Sequence, residues 1–284
     1  FICLVGSRLF KCARPDSDWD FVICSVFLNM LLGLSREKKL ELYKKEYTAR
    51  VSINGYNAEI KVYPMEKVFS AIANFSPMAL EIIVSIVSGN FVSLEIDAQK
   101  LREICLAIPP ECLALSTAHY AYSFTKRYLR ALEHHEKRAF EALRLLAMYY
   151  FLFEHAKLPP PDLRQIVESI KQIDFVVPPY TKTLKEALIT FIDKRRAGEI
   201  IPDWCIGIIY RVAPRIHNLM TVKKFELSQK YAKACKEEKN RILNALENHY
   251  RGIIEKIISH NIKPKKLNDI LGNIIKLIKH HTFH

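Results

Sequence analysis

Asp18 and Asp20 flank a tryptophan at the head of an apolar run, Phe21 to Phe27, and ten residues upstream Gly6-Ser7 closes an earlier run, Phe1 to Val5. On a strand, alternate side chains share a face, so the two aspartates point the same way with Cα atoms about 6.5 Å apart. Paired carboxylates at that spacing suit two Mg²⁺ ions held roughly 3.5–4 Å apart, the arrangement used for in-line phosphoryl transfer. Gly6 lets the chain turn sharply off the first strand, and the amides that follow, with the Ser7 hydroxyl, are donors for phosphate oxygens. The chemistry these residues suggest is metal-assisted transfer of a phosphorylated group.

A two-metal site needs a third acid, and Glu59 supplies one from Ala58-Glu59-Ile60-Lys61-Val62-Tyr63, a strand able to lie beside Asp18 and Asp20. The competing reading makes Glu59 an ordinary solvent-facing strand residue next to Lys61. Asn54-Gly55 joins this strand to Tyr47–Ile53 as a two-residue hairpin loop. Pro64 ends the hairpin, and Ser76-Pro77 forms an N-cap and first helical residue for a helix over Met78–Val87. Ser35 caps a further helix through Glu37–Tyr47. From Gln99 onward the pattern is helical: Ser116–His135, Lys137–His155, Leu184–Arg196 and Val222–His260, punctuated by Pro159-Pro160-Pro161 and Pro178-Pro179. The expected fold is α+β, a small mixed β-sheet catalytic domain over 1–97 followed by a helical, basic domain over 98–284.

The segment Leu4-Val5-Gly6-Ser7 … Asp18-Trp19-Asp20-Phe21 resembles the signature of the polymerase-β-like nucleotidyltransferases, whose palm carries Gly-Ser followed by Asp-x-Asp on the next strand. Asn74-Phe75-Ser76-Pro77-Met78-Ala79-Leu80-Glu81 is similar to the Asn-Pro-x-x-x-Glu segment of the YcgL/RlaP-type minimal members, a group linked to RNA repair. Lys137-Arg138-Ala139-Phe140-Glu141-Ala142-Leu143-Arg144-Leu145-Leu146 resembles that group's Lys…His-x-x-Arg-Leu-Leu helix, and Gly198-Glu199 echoes a later Gly-Glu. The chain departs from the pattern at Glu141, which stands in the place of His, and at Lys11-Cys12, which replaces a Gly-containing turn. The Arg that follows the second Asp in the family is also missing. A helix precedes the first strand in that family, so the resemblance implies that the natural N-terminus lies upstream of Phe1.

The resemblance implies an enzyme using Mg²⁺, with Mn²⁺ as a substitute, to transfer a nucleoside monophosphate from an NTP to a hydroxyl and release pyrophosphate. Asp18, Asp20 and Glu59 are the catalytic and metal-binding candidates. Gly6, Ser7 and Arg8, with Lys137 and Arg144 seven residues apart on one helix face, are the candidate nucleotide-binding residues.

Charge points to the acceptor. The chain of 284 residues carries 43 Lys and Arg against 30 Asp and Glu, a formal net charge of +13. Residues 1–90 are nearly balanced, 11 basic against 9 acidic, whereas 214–284 hold 15 against 6. A basic excess of this kind tracks nucleic-acid phosphate, with a solvated surface or an anionic membrane as competitors. Lys126, Arg127 and Arg130, and Lys263, Lys265 and Lys266, are the candidate nucleic-acid contacts, with RNA the expected acceptor. Tyr120, Phe124 and Tyr128 follow helical spacing and fit a core stripe better than a stacking platform, Trp19 alternates away from the acids, and His134-His135 and His280-His281 lack metal-ligand spacing and read as surface histidines. A protein acceptor, as in toxin-type members, and a catalytically inactive RNA-binding protein are the alternatives. An aminoglycoside-like cation fits a basic chain poorly. The seven cysteines show no Cys-x-x-Cys pair and read as buried thiols of a cytoplasmic protein. No apolar stretch is long enough to span a membrane.

Overall fold

The structure is a computed structural model that describes residues 1–25, 47–53, 55–93, 97–118, 135–260 and 267–282. Strand β1 (Ile2–Val5) is buried throughout and ends where Gly6 takes φ 71°, turning the chain into a single helical turn, α1 (Gly6–Leu9). The chain returns as β2 (Trp19–Ser25), antiparallel to β1, with Val5 opposite Asp20.

Strands β3 (Tyr47–Ile53) and β4 (Tyr56–Pro64) form the expected hairpin, Ile53 opposite Tyr56, and Gly55 adopts φ 82° in the two-residue turn between them. That left-handed conformation is available to glycine without a Cβ penalty, which is why the turn sits there. Strand β4 lies parallel to β2, and the short β5 (Phe91–Val92) pairs with β1 on its other side, so the order is β3-β4-β2-β1-β5. The sheet is mixed and the architecture is α+β.

Helix α2 (Met65–Ala73) follows β4 directly and buries Met65, Val68, Phe69 and Ile72. Helix α3 (Pro77–Val87) begins as its sequence predicts: the Ser76 side chain accepts a hydrogen bond from the Ala79 amide at 3.2 Å, with proline at the first helical position. It packs against β1, and α4 (Ala98–Leu106) packs against it in turn.

The helices beyond are α5 (His135–His155), α6 (Leu163–Ser169), α7 (Leu184–Ala197), α8 (Asp203–Ser259) and α9 (Leu267–Thr282). A capping box between Thr183 and Glu186 opens α7, and Gly198 closes it at φ 70°. Helix α8 runs 57 residues, straight through Pro214, and so begins well before the expected Val222. It packs on α2 and α4 as well as on α7, so helices of the second half help to bury those of the first. The expected helices over Glu37–Tyr47 and most of Ser116–His135 lie outside the described residues.

Two cysteines differ from the expectation of thiols throughout. Cys112 and Cys235, on α8, form a disulfide across a sequence separation of 123. Cys3, Cys12, Cys24, Cys105 and Cys205 are buried free thiols, as expected. Among the described residues, no helix is long and apolar enough to cross a membrane.

Candidate active site

The acids meet at the end of the sheet where β1 leaves for α1. Asp18 is exposed just before β2, and Asp20 is half-buried on its second residue. Register does the rest: Asp20 lies opposite Glu59 on the parallel strand β4, and Arg50 on β3 lies opposite Glu59. Because partners in register share a face, one surface of three adjacent strands presents Asp20, Glu59 and Arg50 in a row.

Gly6 makes this convergence possible. A Cβ on Gly6 would come within 2.5 Å of Asp20 Oδ2, so the turn admits the carboxylate only because it has no side chain. Its amide donates to Glu81 Oε2 at 2.9 Å, and Arg144 Nη2 donates to Glu81 Oε1 at 2.8 Å. Arg144 is only 8% exposed and also lies over the Phe10 ring at 5.4 Å. A helix more than sixty residues away thus fixes the turn through one bridging carboxylate.

Four carboxylates therefore crowd one place. Burial pushes the Asp20 carboxyl up to about 6, and the charges of Glu59, Glu81 and Asp18 add to the effect while Lys61 opposes it. Desolvation and like charge each disfavour the ionised form. Glu59 is differently placed, with its oxygens turned to Arg50 Nε at 3.2 Å and Lys61 Nζ at 3.5 Å. No three Asp, Glu, His or Cys side chains among the described residues stand together as a metal-binding group. Asp18, Asp20 and Glu59 nevertheless offer only oxygen donors, the kind a hard divalent cation takes, and like charge and burial leave the Asp20 carboxylate costly to ionise. A groove of about 320 Å³ opens beside it, lined by Asp18, Arg50, Val51, Ser52, Asn57 and Ala58.

The remaining candidates are distributed differently. Ser7 is half-buried on the turn, its carbonyl accepting from the Cys12 amide at 2.9 Å. Arg8 is held by the loop: its Nη2 donates to the Pro15 and Ser17 carbonyls at 2.9 and 2.6 Å, its guanidinium lies 4.7 Å from the Trp19 ring centroid, and the charges of Asp16, Asp18 and Asp20 act on it. Arg144 is joined to the site through Glu81 and acts on the turn, not on the groove. Lys137 stands on the first turn of α5, its side chain outside the described part. Lys126, Arg127, Arg130, Lys263, Lys265 and Lys266, and the Tyr120, Phe124 and Tyr128 stripe, lie outside the described residues. Trp19 is 4% exposed, in keeping with core packing, whereas His281 is no simple surface histidine: its ring centroid lies 6.4 Å from that of Trp19.

The chain matches no protein-family model and no curated protein sequence. The functional reading therefore rests on the residues themselves.

Proposed function

We propose that the protein is a nucleotidyltransferase with a polymerase-β-like palm, moving a nucleoside monophosphate from an NTP to a hydroxyl of RNA and releasing pyrophosphate. The observation that carries the reading is the register of Asp20 with Glu59 beside Asp18, reached through a glycine whose missing side chain makes room for Asp20. A sheet built only for stability gains nothing by gathering like charges in a half-buried corner, where each raises the cost of ionising the others.

Asp18, Asp20 and Glu59 would hold Mg²⁺, or Mn²⁺ in its place. Such ions supply charge neutralisation for phosphoryl oxygens and a lowered pKa for an attacking hydroxyl. The chain's own residues do the positioning. The Ser7 hydroxyl and the amides of the turn are donors to the triphosphate, and the Arg144–Glu81 pair keeps the Gly6 backbone in place beneath it. Asp20 must be ionised to serve, and its proton competes with a divalent ion, so metal affinity falls as pH is lowered through its metal-free titration near about 6. Phosphoryl transfer needs little from the protein beyond positioning and electrostatic stabilisation. RNA as acceptor rests on the basic excess of the second half; the five free thiols favour a reducing cytoplasm and the Cys112–Cys235 disulfide counts against it.

The test is incubation of the protein with each labelled NTP, Mg²⁺, and either RNA or a protein mixture. Label transferred to RNA, lost in Asp18→Ala and Asp20→Ala, is the expected result. Label on protein alone changes the acceptor, and wild-type turnover surviving either substitution removes the two-metal assignment.

A further inference from the structure

On the other side of β2 from Asp20 lies a pocket of about 530 Å³, large enough for a nucleotide, lined by Arg8, Lys11, Ala13, Pro15, Trp19, Arg196 and His281. None of these is acidic and three are cations. They come from five places: α1, the loop after it, β2, the last turn of α7 and the last turn of α9. The loop at its base is clamped from the second half. Arg196 Nε donates to the Lys11 carbonyl, Arg195 Nε to the Cys12 carbonyl at 3.0 Å, and the Leu163 amide to the Phe10 carbonyl at 2.9 Å.

Two further features set the pocket apart from an ordinary basic surface. Arg8 Nε is buried with no hydrogen-bond acceptor among the described residues, although Nη2 is fully used. Lys11 has φ 50°, the left-handed region that glycine occupies freely and other residues seldom do. The chain holds a charged side chain at a position where glycine would relax the backbone, and such outliers gather where a ligand is gripped.

We propose that this pocket seats a phosphate of the RNA acceptor, on the face of β2 opposite the reacting nucleotide. The term acceptor rests on the nucleotidyltransferase reading; the affinity for a nucleic-acid phosphate does not. Arg8 and Arg196 bring fixed positive charge more than a free fork, since Nη2 of each and Nε of Arg196 are already held by the protein, and Lys11 adds a point charge at the mouth. Arg196 Nη2 is paired to Asp162 at 2.9 Å, which holds the guanidinium at the rim. A strand is favoured over a free nucleotide because the basic surface does not stop at the pocket. Lys279, in the last turn of α9 two residues before His281, adds a further cation beyond the lining residues.

The chain has two tryptophans, Trp19 and Trp204, so Trp204→Phe leaves Trp19 as the only emitter, placed at the pocket wall. In that background an eight-nucleotide single-stranded RNA is titrated at several salt concentrations, with Mg²⁺-ATP as the competing probe. The expected result is a change in Trp19 emission with RNA that ATP does not displace. Lys11→Gly should then weaken RNA binding about fivefold or more and reduce the salt slope by about 0.7, the loss of one phosphate contact. Its unfolding midpoint should stay level or rise, so the weaker binding is not unfolding; Lys11→Gln, which keeps the side chain but not the charge, should weaken binding equally. Unchanged affinity and slope in both variants would overturn the site, and displacement by ATP would give the pocket to the nucleotide. The two readings fail separately. An RNA response at Trp19 in a protein that transfers no NTP leaves the nucleic-acid site standing and removes only its role as acceptor site. Transfer that persists with both Lys11 variants binding normally removes the pocket and keeps the enzyme.

Discussion

Asp20 offers the sharpest test, because the fold penalises the charge its function requires. Its carboxyl is carried from the usual value of 3.8 to about 6. The native state therefore holds that proton more tightly than the unfolded chain does. Stability from this group is fully present below about pH 4 and is lost as pH rises to about 6. At 1.36 kcal/mol per pH unit the full penalty above pH 6 is about 3 kcal/mol. Asp20 is only half-buried, and solvent screening reduces that to about 1.5 kcal/mol. Asp20→Asn keeps the shape beside Gly6 and removes the charge, so at pH 7.5 in EDTA the variant should be more stable by about this amount. For a chain of this size that is roughly 3–6 °C in melting midpoint. At pH 4 the two proteins should melt together. Thermal denaturation at both pH values measures the difference directly. Added Mg²⁺ should then raise the wild-type midpoint and leave the variant's in place, since a ligand stabilises only the form that binds it. A variant less stable than wild type by the same amount at both pH values would refute the reasoning, because the charge would then carry no penalty.

Three other outcomes follow from the same geometry. Gly6→Ala should cost at least about 1–2 kcal/mol from its left-handed backbone, more once the added Cβ displaces the Asp20 carboxylate, and urea denaturation together with loss of transfer activity checks it. Arg144→Met, which leaves the Glu81 carboxylate without its buried cation, should cost about 2–3 kcal/mol, below the range for a fully buried pair because Glu81 is 21% exposed; the double variant with Glu81→Gln should lose less than the sum of the singles, as coupled partners do. Reducing the Cys112–Cys235 bond, which closes a loop spanning a sequence separation of 123, should lower stability by up to about 4–5 kcal/mol in the chain-entropy account, and identical melting with and without reductant would show that the bond is absent.

What the sequence made legible was local. The strand off which Gly6 turns, the Asn54-Gly55 hairpin and the Ser76-Pro77 helix start each follow from a few neighbouring residues, and the structure has them within a residue or so. The pairing of Asp20 with Glu59 was reachable too, since strand alternation and a short hairpin leave few registers for an acid to share a face with another. The rest depends on contacts between residues far apart in sequence. Glu81 could be seen as part of a motif, but its hydrogen bond to the Gly6 amide spans 75 residues and has no local signature. Arg196 and His281 reach the pocket around Trp19 only through the packing of α7 and α9. Cys112 and Cys235 lack any spacing that marks a pair. Helix α8 runs through Pro214 because burial against α2, α4 and α7 outweighs a break that propensity alone would favour.

The carboxylates around Asp20 are held in two different ways, and the difference bears on which of them can change partner. Glu81 is tied on both oxygens, to a backbone amide and to an arginine almost wholly inside the protein. Releasing it would strand a buried guanidinium, a cost of several kcal/mol. Glu59 faces Lys61 and an Arg50 whose side chain is 80% exposed. Glu59 itself is only 19% exposed, but Arg50 and Lys61 reach solvent, so water can take up either cation at less cost than Arg144 would pay. A divalent ion arriving beside Asp20 would meet little resistance from Arg50 and Lys61 and a great deal from Arg144. On the two-metal proposal Glu59 would be the acid that swings from a cation of the protein to a bound one, and Glu81 the acid that keeps the turn in place while it does so.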